Sequence, residues 1–219
     1  MFSAVIFDWD GTLADTRKAI LFSFHKALRE LGIKVTDEQI ERRIGIGSAE
    51  TFKEILRTYR VGFDDELIKK LVSVKIQAET DMSSEIHLFQ GARELLESLK
   101  GKAKMALASM NNRAVIDHLL ETTRTREFFS LTLAAEEISK PKPDPEIFLT
   151  CAQKLRIKPE SCVVVEDSIF GVKAAKAAGM GCVAVATGAY SREELAEAKP
   201  DLIVDSLREQ DAILRFILK

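Results

Sequence analysis

The sequence predicts a doubly wound α/β sheet carrying a helical insertion, and three features of its hydrophobic pattern lead there. Four apolar runs, Ala4 to Phe7, Met105 to Ala108, Cys162 to Val165 and Cys182 to Ala186, are continuous rather than alternating, as in parallel strands covered on both faces. Amphipathic helical patterns lie between the last three, around Ala114 to Glu121, Pro145 to Leu155 and Ile169 to Ala178, the last closed by Gly179. About 80 residues of helical pattern separate the first run from the next α/β unit, far more than an ordinary crossover uses, so an inserted domain is expected.

Within that stretch, Thr16 to Leu31 carries an apolar stripe that stops at Gly32, and Thr36-Asp37-Glu38 opens a second helix. Ser48 is expected to cap a third helix running to Tyr59. Asp64-Asp65-Glu66 places negative charge at the start of a fourth that runs towards Met82. All helix and no strand predicts a small bundle over residues 15–85, set into a core formed by residues 1–14 and 86–219. The joints should be short, near Ala14 to Thr16 and Ser83 to Gln90. Further strands are expected at Leu131 to Ala134 and Leu202 to Val204, and Leu207 to Leu218 reads as a closing helix.

A compact fold of 219 residues buries roughly 70 to 75% of the surface of its unfolded chain, so neither disulfides nor a structural metal is needed. Hydrophobic residues make up 46% and charged residues 30%, which excludes a disordered chain. Lysine plus arginine (32) nearly balances aspartate plus glutamate (34), so nothing favours nucleic acid or an anionic membrane as partner, and a small, individually recognised ligand is the expectation. No apolar run approaches the ~20 residues of a membrane helix, and the chain begins at once with the strand-like Ser3-Ala4-Val5-Ile6-Phe7. A cytoplasmic location is therefore expected. Cys151, Cys162 and Cys182 form no metal-binding spacing and read as buried, reduced thiols.

The chemistry concentrates where strands end. Phe7-Asp8-Trp9-Asp10-Gly11-Thr12-Leu13 places two carboxylates just beyond the first strand, and Val163-Val164-Val165 runs directly into Glu166-Asp167-Ser168. Each pair alone reads as a turn or a cap. Together they can converge in the crevice at the carboxyl ends of the strands. Like charges about 4 Å apart repel by roughly 4 kcal/mol at an effective dielectric near 20, so Asp8, Asp10, Glu166 and Asp167 imply a cation; oxygen-only ligands suit Mg²⁺. Ser109 follows the strand ending at Ala108, where its hydroxyl and the next N–H groups are candidate oxyanion ligands; a plain helix N-cap is the alternative. Lys140 lies in the proline-stiffened Ser139-Lys140-Pro141-Lys142-Pro143-Asp144-Pro145, either holding an amine in place or simply solvated. His25, His87 and His118 are isolated and read as surface or packing residues.

These four segments, in this order and across the whole chain, resemble the haloacid dehalogenase superfamily of phosphohydrolases. Asp8-Trp9-Asp10-Gly11-Thr12 matches its first motif, Ser109 its second, Lys140 its third and Glu166-Asp167 its fourth. The insertion right after the first motif is similar to the cap of the subgroup containing phosphoglycolate phosphatases and β-phosphoglucomutases. The resemblance implies a Rossmann-like core, a closing α-helical cap domain, and phosphatase chemistry on a small phosphorylated metabolite; a monomer or weak homodimer is expected. It assigns Asp8 as nucleophile, forming an aspartyl-phosphate, and Asp10 as acid and then base. Asp8, Asp167 and the carbonyl of Asp10 would bind Mg²⁺, with Glu166 in or beside that set. Ser109, the Met110 and Asn111 backbone and Lys140 would hold the phosphoryl oxygens, with Thr12 orienting the first loop.

Three alternatives stand beside this reading. Phospho-receiver domains share strand-end aspartates, a hydroxyl and a lysine, but are about half this length and lack a cap. Dehalogenases of the superfamily lack the second aspartate of the first motif, which is present here as Asp10. β-Phosphoglucomutases carry a histidine early in the first cap helix and an arginine near the cap loop. Here Ile20 falls at the first position and Gly45-Ile46-Gly47-Ser48 provides no arginine, so hydrolysis is expected over transfer, with Arg17, Lys18 and Arg43 as the residues that could substitute under a shifted placement.

Overall fold

The computed structural model describes residues 1–219. Six parallel strands form one sheet: β1 (Ala4–Phe7), β4 (Lys104–Ala108), β5 (Leu131–Leu133), β6 (Cys162–Glu166), β7 (Gly181–Val185) and β8 (Leu202–Val204). They lie in the order β5-β4-β1-β6-β7-β8, with β1 in the middle. Ala4 pairs with Lys104 on one side and Cys162 on the other. The chain therefore moves outward from β1 first through β4 and β5, then through β6, β7 and β8. That reversal opens a crevice at the carboxyl ends of β4, β1 and β6.

Both faces of the sheet are buried, which is why its strands are apolar without alternation. Side chains point to opposite faces along a strand. Val5, Phe7, Val163 and Val165 pack with Leu95, Leu96 and Leu99 of α5 (Ala92–Leu99), Ile116 and Leu119 of α6 (Arg113–Thr122), and Ile213 and Ile217 of α10 (Gln210–Leu218). Ala4, Ile6, Cys162 and Val164 face the other way, against α7 (Glu146–Leu155), α8 (Ile169–Ala177) and α9 (Arg192–Glu197). Cys151, Cys162 and Cys182 are free and buried on this second face. No helix is long and apolar enough to cross a membrane.

Four helices lie between two short strands, β2 (Ala14–Asp15) and β3 (His87–Leu88), which pair antiparallel where the chain leaves and re-enters the core. They are α1 (Arg17–Arg29), α2 (Asp37–Glu41), α3 (Ser48–Thr58) and α4 (Asp65–Asp81). Their apolar stripes meet in a separate core that includes Phe24, Leu28, Ile40, Phe52, Ile55 and Leu71, with the Phe24 and Phe52 rings 4.7 Å apart. Thr36 caps α2 through a reciprocal box with Gln39, and the Asp64 carboxylate accepts from the Leu67 N–H at 2.8 Å. Ser48 does not cap α3 as expected. Gly47, at φ 91°, takes the N-cap position, and the Ser48 hydroxyl instead donates to Asn112 Oδ1 across the cleft at 3.2 Å.

Candidate active site

Asp8 and Asp10 sit at the mouth of β1. The Asp8 N–H donates to Val165 O at 3.0 Å, so the ladder with β6 continues to the first carboxylate. The chain then turns tightly, with the N–H groups of Leu13 and Ala14 both reaching Trp9 O. Gly11 makes that turn at φ +81°, and a Cβ there would stand 2.3 Å from Asp167 Oδ2. A Cβ on Gly188 would stand 1.7 Å from the same oxygen, so the Asp167 carboxylate occupies a slot kept open by two glycines. Thr12 closes the slot, its hydroxyl donating to Asp167 Oδ1 at 2.9 Å. Thr12 thus orients a carboxylate of this site, and its hydroxyl is not directed at a phosphate position.

The lysine is Lys142. Its buried Nζ donates to Asp8 Oδ1 and Glu166 Oε1, both at 2.7 Å, and lies 5.0 Å from the Phe148 ring centre. Lys140 remains on the surface, its side chain 71% exposed and its Nζ 3.8 Å from Asp144. The cause lies in the backbone: Glu146, at the start of α7, accepts from the N–H groups of Ser139 and Lys140 at 2.8 and 2.7 Å, which holds that part of the loop outward. Two residues on, beyond Pro141, the chain turns its side chain in. The expectation for Lys140 is therefore corrected to Lys142, the lysine with a proline on each side.

Glu166 is fully used by this framework. One oxygen takes Lys142; the other accepts from Asp167 N, Ser168 N and Ser168 Oγ at 2.8–2.9 Å. Asp10 points the other way, its carboxylate accepting from Ser109 Oγ and Asn111 Nδ2, each at 3.3 Å. The four acids expected to share a cation do not surround one point: no group of three or more His, Cys, Asp or Glu side chains is arranged to hold a metal. The carboxylates of Asp8 and Asp167 are left for that role. Both are buried oxygen donors whose proton affinity is raised, Asp8 to about 8 and Asp167 well above the carboxylate range. Burial is the main cause in each, with repulsion from Glu166 and from neighbouring aspartates added. A hard divalent cation would relieve that repulsion, so the residues fit Mg²⁺.

Lys142 keeps its proton: burial alone would favour its loss, but Asp8 and Glu166 together hold its basicity above the ordinary value. Asp10 is pushed up to about 6, by burial first and by the nearby Glu79 carboxylate second. It is thus poised to carry a proton near neutrality.

Ser109 lies beyond β4 and is not a helix cap, since α6 begins at Arg113 with Asn112 as its N-cap. Its hydroxyl also accepts from the Asn111 N–H at 3.0 Å, so that N–H is engaged within the loop. The Asn111 side chain does something the sequence did not disclose. It joins Asp10 to a buried pair on α4: Lys75 Nζ donates to Asn111 Oδ1 at 2.8 Å, and Asn111 Nδ2 donates to Glu79 Oε1 at 2.7 Å. Lys75 and Glu79 also form an ion pair. Their i,i+4 spacing inside an otherwise apolar helical stripe was the available signal. The three histidines stand apart from the site: His25 bonds Asp37, His118 bonds Ser83 and His87 is exposed.

Asp8, Asp10, Lys75, Met110 and Asn111 open onto one cavity beneath α1 and α3, also lined by Ile20, Phe24 and Arg43. Its volume of about 40 Å³ has room for only a few waters. The helical insert is therefore closed on the core, held by Ser48 on Asn112, Arg42 on Glu194 at 2.7 Å and the Tyr190 hydroxyl on Arg42 O at 2.8 Å.

The model of the haloacid dehalogenase-like hydrolase family matches residues 5–185. The chain belongs to that family, and with this site it is an enzyme, a hydrolase. The receiver alternative falls with the match. The fructose-1-phosphate phosphatase YqaB of Escherichia coli is 29% identical over 84% of this chain and 96% of its own. SUPPRESSOR OF QUENCHING 1, a chloroplastic protein of Arabidopsis thaliana, is 32% identical over 94% of this chain, which spans only 20% of that protein's length. Among solved structures, a hydrolase from Pseudomonas syringae superposes with a TM-score of 0.91 at 26% identity, covering 99% of this chain and 100% of the other. A β-phosphoglucomutase from Clostridium difficile gives 0.86 at 27% identity, covering 100% of both chains.

Proposed function

We propose that this enzyme is a Mg²⁺-dependent phosphatase that hydrolyses a small phosphorylated metabolite through an aspartyl-phosphate on Asp8. The observation that carries the reading is the arrangement at the cleft floor: one carboxylate, Asp8, held 2.7 Å from Lys142, with Asp10 beside it and turned towards Ser109. Lys142, the Ser109 hydroxyl and the Met110 N–H would hold the phosphoryl oxygens. Asp8 attacks phosphorus and the ester P–O bond breaks. Asp10 gives its proton to the departing alcohol oxygen, then takes one from the water that attacks the phosphoenzyme, which returns phosphate and free Asp8. Asp8, Asp167 and the Asp10 carbonyl would hold Mg²⁺, which neutralises phosphoryl charge when bound. The side chain of Glu166 orients Lys142 and the loop that carries Asp167.

The test is release of phosphate from p-nitrophenyl phosphate. We expect it to require Mg²⁺, to stop with EDTA and to return when Mg²⁺ is restored; full activity in metal-free buffer would remove the metal assignment. Gly188→Ala should raise the Mg²⁺ concentration for half-activation by at least tenfold, because the new Cβ takes the space of Asp167 Oδ2. An unchanged midpoint would remove Asp167 from the metal set.

Likeness to a β-phosphoglucomutase supports a second reading, transfer rather than hydrolysis. Ile20, buried in the cleft where that chemistry would use a histidine, favours hydrolysis. Incubation with β-glucose 1-phosphate and a trace of the 1,6-bisphosphate separates the two: hydrolysis gives free phosphate, whereas glucose 6-phosphate with little phosphate would establish the mutase. We further propose a cytoplasmic enzyme, monomeric or weakly dimeric, with no nucleic-acid or membrane partner, in keeping with its near-neutral charge.

A further inference from the structure

We infer that the leaving-group half of the cavity selects esters of uncharged polyhydroxy alcohols and rejects those whose alcohol carries a carboxylate or a second phosphate. The inference rests on the phosphatase reading above and narrows its substrate class. Two cations of the helical insert line this half of the cavity, Lys75 and Arg43. Each has its own carboxylate. Lys75 is 2% exposed, paired with the fully buried Glu79, and also donates to Asn111 Oδ1 at 2.8 Å. Arg43 donates to Glu54 Oε2 at 2.9 Å and to the Gln39 carbonyl at 2.6 Å. The insert thus brings two positive and two negative charges, and no guanidinium or ammonium is left uncompensated for a second anion.

Apart from Asp8 and Asp10, the rest of the lining is uncharged: Ile20, Phe24, Ile44 and Met110, with Ser48, Thr51 and the Asn111 amide. The Ser48 and Thr51 protons are committed to Asn112 Oδ1 and Arg43 O, so their oxygens can accept from an alcohol's O–H at no cost in charge. A second anion would be taken out of water beside Asp8 and Asp10 without a cation to meet it, and buried charge is unfavourable unless paired. Glu79 does not line the cavity. It acts through Lys75, as the residue that cancels that lysine's charge and fixes its direction.

Substrates matched in shape but not in charge test this directly. The wild-type enzyme with Mg²⁺ is given glycerol 3-phosphate against 3-phosphoglycerate, and the open-chain glucitol 6-phosphate against 6-phosphogluconate, with p-nitrophenyl phosphate as reference. We expect kcat/KM at least tenfold higher for the uncharged member of a pair. Glu79→Gln, which frees the Lys75 charge, should shrink that ratio at least tenfold. Glu54→Gln, on the more exposed Arg43 pair, should shift it the same way without disturbing a buried group. Equal rates within both pairs, preference for the acid, or cleavage of the reference but none of the four would overturn the inference and leave the phosphatase reading intact. A ratio unmoved in both variants would overturn the assignment of selectivity to these pairs. Failure on every ester, the reference included, would remove the phosphatase reading and the inference with it.

Discussion

Asparagine at position 8 is expected to reduce phosphate release by roughly 10⁴-fold or more, the scale seen when a covalent nucleophile is removed. The amide is nearly the size of the carboxylate, so the β1–β6 ladder through the Asp8 N–H is kept, and Lys142 keeps Glu166 as partner. Folding should persist. The loss should therefore appear in kcat with an unchanged circular dichroism spectrum, and no acid-stable phosphate should remain on the protein after quenching. Near-normal turnover would take Asp8 out of the mechanism. Burial, Glu166 and Asp10 together outweigh the attraction of Lys142 and raise the proton affinity of Asp8, so the amide removes a net unfavourable buried charge even as it gives up the ion pair with Lys142.

Lys142→Met should cost both activity and stability, in contrast to the first variant. The lysine is the one cation between Asp8 and Glu166, and its removal leaves two buried carboxylates facing each other. Breaking such a group by deleting one partner costs about 3–5 kcal/mol. Loss of a fixed donor to the phosphoryl group lowers kcat by about 10²–10³-fold. Urea unfolding and steady-state kinetics read the two effects separately. Lys140→Met is the control: its exposed side chain touches only Asp144 at 3.8 Å, and we expect neither quantity to move measurably. If Lys140→Met were the damaging change, the geometry of the loop would be wrong.

These two lysines mark the boundary of what could be read from the chain. Strands whose two faces are both buried leave an unbroken apolar run, so β1, β4, β6 and β7 were legible to within a residue at each end. Asp8 and Asp10 were legible because they stand where such a run stops. Which of two lysines two residues apart turns inward depends on Glu146 holding the Ser139 and Lys140 amides, a contact invisible to periodicity. Lys75 and Glu79 were hidden for a related reason: on a 17-residue helix rich in charge, two more charged residues look solvated until Asn111 arrives from another segment. The short helix α9 had a readable cap, Ser191 with Glu194, but its six residues bury only Leu195, too few for an apolar period to show. Glu166 announced an acid at a strand end, yet its saturation by Lys142 and the Asp167–Ser168 amides is a matter of rotamer.

The central position of β1 also sets an order of events during synthesis. Its ladder partners are Lys104–Leu107 and Cys162–Val165, so the strand that leads into Asp8 waits for chain made far later. Contacts of such long sequence separation form slowly, since loop closure must precede any gain from pairing. The helices α1 to α4 are in a different situation. Their core joins residues 20 to 71 and needs nothing from the sheet, so it can condense while β4 and β6 are still being made. Until then Ala4–Phe7 is an unpaired apolar edge, the segment of the nascent chain most open to pairing with the wrong strand.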